Sequence, residues 1–508
     1  MNRVLAQLKR LLPFAVIGGL VLWYGYVGQG HVAYTMDSLT YRDVVLNILD
    51  GHGLVSTNTF DVTPGFFPLL QWPPAYPVVW AALASTGIDI DVVPVLVALA
   101  GYIATLSLMY LIGKKLVGGV VPGIVSVLLY AAFPAGFPIF NFAWSETLFV
   151  PVMLIAFLSV LKASESAGKE RVAWLGVAAL CVGVNNWVRY TGVILLPLLG
   201  VSIPLMANGP SGREIKESAL AVGASLLLTA PLWLRNYAIS GMISGSGRGG
   251  LTRGDPAERL MGDLETLWNL VVYPLFGFDT VLYALLGLPT LGLIGYIAWT
   301  KRMSLRTPDR STVLLLVWGS VILGFLLGAR IVQSGVDFDY RMLAVPAPFA
   351  ALWGAKSLVR KPNTASVILL VAMLAFSVVG SVRDAHHVHE QIVAQVDTKW
   401  RALAYGVVYR DLHRDFSYGS GLRAKLPSAD KKYTVLTDYR GVFVRYLSGH
   451  EAYQVTSVET CLRLTETILD PLVFLVAHPS WGAAPGDAMT PASLCAAARR
   501  RDETNAEM

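Results

Sequence analysis

Long apolar runs alternate with short, basic connections along most of this chain. From the N-terminus the runs cover residues 11–28, 91–112, 117–133, 146–163, 172–186, 190–206, 217–234, 280–299, 311–329, 342–356 and 365–381. Each comes close to the roughly 20 residues a helix needs to cross a hydrocarbon core, so the pattern predicts about eleven membrane-spanning helices. Arg3, Lys9 and Arg10 precede the first run and no small-residue cleavage site follows it, which predicts a retained anchor. Beyond about residue 385 charged residues return and the apolar runs shorten. There "KKYTVLTDYRGVFVRYLSGHEAY" reads as a strand, a turn at Asp438 and a helix, and "PLVFLVAHP" reads as a second strand. The expected organisation is a transmembrane domain over 1–384 and a small α/β domain over 385–508, disordered at its "RRRDETNAEM" end. No internal repeat is evident.

Composition agrees with the pattern. Of 508 residues, 54% are hydrophobic and only 15% charged, and the mean hydropathy is +0.55, too apolar for a soluble chain of this length. The basic residues then orient it. With the N-terminus inside, the inner connections hold Lys114 and Lys115; Lys162, Lys169 and Arg171; Arg213 and Lys216; Lys301, Arg302, Arg306 and Arg310; and Lys356, Arg360 and Lys361. An odd number of spans puts the C-terminal domain outside. The net charge of +6 follows from this inner-leaflet bias and is no sign of nucleic acid as a partner. Of the three cysteines, Cys181 lies within a span, while Cys461 and Cys495 lie in the tail, where a disulfide is chemically permitted.

The outer connections are long: 29–90, 134–145, 235–279 and the tail. Chemistry is therefore expected on that side. In the first of them, Tyr41, Val44, Val45, Ile48 and Leu49 recur at helical spacing, Gly51 and Gly53 supply a stop, and Asp37 stands at the start. Asp37 is open to two readings, a helix cap or a functional acid at membrane depth. Trp72, Pro73, Pro74, Tyr76, Pro77 and Trp80 then suit a chain that lies along the interface before re-entering the bilayer. A second acid, Glu146, follows Ser145 directly before an apolar run, where an ionised group is costly. Arg189, Arg235 and Arg341 each sit where a span meets the outer side; they suit phosphate, or else snorkel to headgroups.

Two other motifs are weaker. "GSGRGG" over 245–250 matches a nucleotide-binding spacing but follows a span instead of a strand, so no nucleotide cofactor is expected. His386, His387, His389 and Glu390 in "HHVHE" are a minor metal candidate beside a solvated cluster.

Taken in order, "MDSLTYRDVVLNILDGHGL", "PPAYP", "SETLF", "RYTG" before a proline, "RNY" and an arginine before "VPAP" resemble the GT-C superfamily of integral-membrane glycosyltransferases, more narrowly its protein mannosyltransferase and aminoarabinose transferase branch. The similarity runs over roughly residues 30–350. It implies an all-α, GT-C type polytopic fold with a periplasm-side site, a polyprenyl-phosphate-linked sugar donor, and inversion at the anomeric carbon. Asp37 matches the acid of the first outer loop, Tyr41 and Arg42 the aromatic and basic residues after it, and Glu146 the acid of the second. Protein mannosyltransferases carry an acidic pair where this chain has Asp37 and Ser38, which leaves the acceptor open among glycan, lipid and protein. On this resemblance Asp37 is the general base, Arg42, Arg189, Arg235 and Arg341 hold phosphate with Tyr41 beside them, and Glu146 orients the acceptor. Should a divalent cation (Mg or Mn) take part, Asp37 and Glu146 are its ligands. The outer tail would cover the active face. A lipid-linked oligosaccharide ligase or polymerase is the alternative, and a secondary transporter is disfavoured because the charges gather at one face.

Overall fold

The computed structural model describes residues 2–28, 32, 35–57, 66–133, 136–207, 211–245, 309–332 and 340–360, and three strands in the tail. The helices are α1 (Asn2–Gly28), α2 (Met36–Leu49), α3 (Ala75–Ala84), α4 (Val93–Val117), α5 (Val120–Ala132), α6 (Glu146–Glu165), α7 (Gly168–Val188), α8 (Leu195–Met206), α9 (Gly212–Ser240), α10 (Arg310–Val332), α11 (Tyr340–Ala344) and α12 (Ala347–Arg360). The chain divides into two compact units. One comprises Met1–Val32, Leu70–Tyr76 and Asp91–His389, the other Ala33–Leu69, Pro77–Ile90 and Glu390–Met508.

The first unit is a helical bundle. Among the described residues, α4, α6, α7, α9 and the Arg310–Ala329 part of α10 are long and apolar enough to cross a membrane, and shorter apolar helices accompany them. The chain is a multi-pass membrane protein. The runs expected at 280–299 and 365–381 lie outside the described residues, as does the "HHVHE" cluster. Two other runs are broken. Residues 190–206 form a 3-10 turn (Tyr190–Ile194) followed by α8, and 342–356 is split between α11 and α12. Pro346 accounts for the second break, because its ring disfavours helical backbone at Val345.

The basic helix ends meet one another. Lys115 at the end of α4 pairs with Glu165 at the end of α6. Arg171 near the start of α7 lies 2.7 Å from Glu217 near the start of α9. Arg310 at the start of α10 donates to the carbonyl of Met206 at the end of α8 (3.5 Å). Lys356 of α12 bonds Asp309 at 2.7 Å. That alternation is what successive antiparallel spans require. Asp309 also caps α10, its Oδ1 accepting from the Thr312 amide (2.9 Å) and from the Ser311 hydroxyl (2.7 Å). Partial burial opposes ionisation of Asp309, but the bonds from Lys356, Ser311 and Thr312 outweigh it and hold the carboxyl below the usual carboxylate range.

Aromatic packing fixes the middle of the bundle. Phe157, Trp318 and Phe349 from α6, α10 and α12 meet edge-on or tilted, with ring centroids 5.2–5.6 Å apart, and Trp318 Nε1 donates to Ser202 Oγ of α8 (2.8 Å). All three rings are fully buried, the arrangement in which aromatic pairs add to area burial. Nearer the start of α6, Pro151 interrupts the helix. It has no N–H for the Thr147 carbonyl, and α4 comes against that carbonyl at Gly101, where a Cβ would stand 2.2 Å from the oxygen.

In the second unit α2 ends where Gly51 and Gly53 adopt φ +83°, as the sequence predicts. A two-residue antiparallel ladder follows between β1 (Val55–Ser56) and β2 (Phe67–Pro68). In the tail, β3 (Thr434–Thr437), β4 (Glu451–Gln454) and β5 (Val473–Val476) form a parallel sheet in the order β4–β3–β5. β3 and β5 fall on the two predicted strands. β4 is an addition, a four-residue strand with too few alternating apolar positions to stand out. The helix expected after Asp438 falls mostly outside the described residues, and its expected end, at Glu451–Tyr453, is part of β4 instead.

Candidate functional site

The site is built at the start of α6. A 3-10 turn (Pro138–Asn141) leads into Phe142 and Trp144, whose rings stack at 4.1 Å and 9°. Ser145 is the N-cap and Glu146 opens the helix, with no exposed surface. Such an acid suits the positive end of the helix dipole, but burial requires counter-charge. Two arginines supply it. α7 ends at Val188, and Arg189 turns into extended backbone (φ −149°) while its amide still bonds the Asn185 carbonyl at 2.9 Å. Its guanidinium pairs with Glu146 Oε1 and donates to Ser145 Oγ (3.2 Å). Arg341, on α11, donates from Nε to the same Oε1 at 2.8 Å, and its guanidinium carbon lies 4.7 Å from the centre of the Trp144 ring. One carboxylate thus faces two guanidinium groups. These two arginines do not snorkel; their side chains are only 14% and 16% exposed.

Arg235 belongs to a neighbouring polar knot. It donates to Asn236 Oδ1 (3.1 Å), Asn236 Nδ2 donates to the Tyr190 hydroxyl (2.9 Å) and the Ile243 carbonyl (3.2 Å), and Tyr190 donates to the Leu70 carbonyl (2.9 Å). Gly245 closes the knot at φ +91°, where a Cβ would come 2.2 Å from the Leu70 oxygen, so no larger residue fits. This is the first glycine of "GSGRGG"; the remainder lies outside the described residues.

The remaining candidates lie on α2, in the second unit. Thr35 is the N-cap, its amide donating to Ser38 Oγ (3.1 Å) and its hydroxyl 3.2 Å from the same oxygen. The helix is therefore capped without Asp37, which sits partly exposed in the first turn. Asp37 is the acid of that first turn, and Ser38 serves the cap. Tyr41 is fully buried and Arg42 partly so.

Sequence reasoning missed Asp43. It is buried on α2, and its carboxylate accepts from Ser56 Oγ (2.8 Å), the Thr57 amide (2.7 Å), Thr57 Oγ1 (2.7 Å) and, at 3.5 Å, Asn47 Nδ2. Asp43 thereby ties α2 to the strand after it. With its oxygens so engaged, Asp43 is a structural acid.

Both arginines engage Glu146 Oε1, and Oε2 has the Ser145 hydroxyl at 3.4 Å. Among the described residues no three His, Cys, Asp or Glu gather as a metal site.

No protein-family model matches the sequence, and no curated protein matches it. Solved structures do. ArnT from Cupriavidus metallidurans in the apo state superposes with a TM-score of 0.62 at 13% identity, over 94% of each chain. The same protein bound to undecaprenyl phosphate gives 0.60 at 14% identity, over 92% of this chain and 93% of that one. An Archaeoglobus fulgidus oligosaccharyltransferase, in complex with Zn and sulfate, gives 0.53 at 11% identity, over 92% of this chain and 69% of that one. These are GT-C membrane glycosyltransferases, and the chain has the GT-C fold. The resemblance read from the motifs is thereby met at the level of the fold.

Proposed function

We propose that this chain is an inverting glycosyltransferase that moves a sugar from a polyprenyl-phosphate-linked donor to an acceptor glycan, lipid or protein on the extracytoplasmic side of the membrane. The observation that supports it most is the Glu146–Arg189–Arg341 cluster within a GT-C fold: two guanidinium groups held by one buried acid at the start of an apolar helix long enough to cross a membrane, a chemistry suited to a phosphate. The undecaprenyl phosphate bound to ArnT supports a lipid phosphate as the leaving group.

In this reading the acceptor hydroxyl gives its proton to Asp37 as its oxygen attacks the anomeric carbon. The bond from that carbon to the phosphate oxygen breaks, its electron pair stays on the phosphate, and configuration inverts. Arg189 and Arg341 meet the growing charge on the phosphate, and Glu146 holds them in place. Arg42, Arg235 and Tyr41 are assigned to binding of the substrate, the two arginines as further candidates for the donor phosphate. Residues 385–508 are assigned to an extracytoplasmic α/β domain. The test is transfer from radiolabelled polyprenyl-phosphate sugars to a membrane glycan fraction by the purified protein in liposomes. Label should move with wild type, and Arg189→Ala and Arg341→Ala should weaken donor binding. No transfer from any such donor, with donor binding indifferent to both substitutions, would overturn the reading.

A further inference from the structure

One buried residue outside the charged cluster bonds α6 through its side chain and Arg189 through its backbone. Asn185 lies in the last turn of α7 with no exposed surface. Its amide, oriented to satisfy both of its neighbours, donates to the Phe149 carbonyl (3.2 Å) and accepts from the Met153 amide (3.1 Å) of α6. Residues 149 and 153 are the pair that bond each other in an uninterrupted α-helix, and they stand either side of Pro151. Asn185 therefore reaches α6 at the turn where proline disturbs the ladder. Its own backbone carbonyl accepts the Arg189 amide (2.9 Å). Beyond that, Gly192 lies so close over Asn185 that a Cβ there would come 2.8 Å from its carbonyl carbon and oxygen. One residue thus joins α7 to α6 through its side chain, at the turn of α7 whose carbonyl holds the Arg189 amide and against which Gly192 is packed.

We infer that Asn185 is a positioning residue, which sets the register of α7 on α6 so that the Arg189 guanidinium meets Glu146. Neither bonding partner of its side chain belongs to the charged cluster, so its effect passes through backbone placement. An apolar side chain of similar size would remove both side-chain bonds that hold α7 on this turn of α6, and α7 would shift on it. The consequence for donor binding rests on the proposed role of Arg189; the consequence for local order does not.

The experiment uses the full chain in detergent or liposomes, with Asn185→Leu as the main variant and Asn185→Ala, which adds no bulk, where the first fails to accumulate folded. Two quantities are read: amide hydrogen exchange over residues 186–194, and the KM for a polyprenyl-phosphate sugar. The expected result is faster exchange in that segment and a KM raised roughly 10-fold or more, with Asn185→Leu adding little to Arg189→Ala when the two are combined. Unchanged exchange over 186–194 overturns the positioning role outright. Faster exchange with an unchanged KM, while Arg189→Ala alone raises it, overturns the link to donor binding. If neither variant moves KM but exchange rises, the donor-binding role of Arg189 falls and the placement of α7 by Asn185 stands.

Discussion

Glu146 and Arg341, 195 residues apart in the chain, share a hydrogen bond of 2.8 Å, and the oxygen that accepts it also carries the ion pair with Arg189. The two arginines are thereby held by one buried acid. In a low-dielectric interior the removal of that acid leaves two cations facing each other. Glu146→Ala is expected to destabilise the protein by about 3–5 kcal/mol, read as a lower unfolding temperature in detergent. Asp would keep the charge and recover part of the loss. A Glu146→Ala variant as stable as wild type would mean that the arginines find other partners.

The cap formed by Thr35 and Ser38 separates two effects at the start of α2. Thr35→Ala should cost about 1 kcal/mol of stability and leave turnover nearly intact. Asp37→Asn should leave stability nearly unchanged and reduce transfer by on the order of 100-fold, with donor binding kept. Measured side by side, the two variants should dissociate. Normal turnover in Asp37→Asn would remove Asp37 from the chemistry.

Asp43 makes the opposite forecast. Asp43→Ala strips the partners from Ser56 and Thr57, at about 1.5–3 kcal/mol for a lost bond to a charged group. Limited proteolysis should show earlier cleavage near residues 50–57. Cleavage at the wild-type rate would show that the strand is held by something else.

The Asp309–Lys356 pair gives a pH dependence. Because the Asp309 carboxyl is held below its usual range in the folded state, its contribution is fully present above the unfolded carboxylate pKa of about 3.9. It fades as pH falls below that value toward the folded one. The pair is partly solvated, with the Asp309 side chain 40% exposed, so screening limits it to on the order of 1 kcal/mol. The unfolding temperatures of wild type and Asp309→Asn should therefore differ by a constant amount between pH 8 and pH 5 and converge below about pH 4. A difference that widens on acidification would contradict this linkage.

Orientation is testable independently of chemistry. The helix ends joined through Lys115, Arg171, Arg310 and Lys356 are expected on the cytoplasmic side. Alkaline phosphatase fused after residue 385 should then be active. A silent phosphatase with a fluorescent protein at the same point would invert the topology.

How far the sequence could be read follows from the range of each interaction. Helix positions and ends depend on local pattern, and α4, α6, α7, α9 and α10 lie on their predicted runs. The Gly51 and Gly53 stop and the acid at the mouth of α6 were legible for the same reason. The sharing of Glu146 by Arg189 and Arg341 was not, because it joins three elements distant in the chain, and any one arginine at a span end looks like a snorkelling one. Asp43 escaped because its partners are small hydroxyl residues whose pattern carries no signal. Asn185 escaped because nothing in the sequence separates it from Asn186 beside it; only the neighbouring helix, with its proline, gives it meaning.

The approach of α4 to α6 has a consequence for variation. At Gly101 the space between the helices is the width of a hydrogen atom, since one methyl group would stand 2.2 Å from the Thr147 carbonyl. Thr147 is the next residue after Glu146. A change from glycine to alanine at position 101 would thus act as a spacer under the charged cluster, so tolerance at this position measures how much displacement the Glu146 carboxylate can absorb.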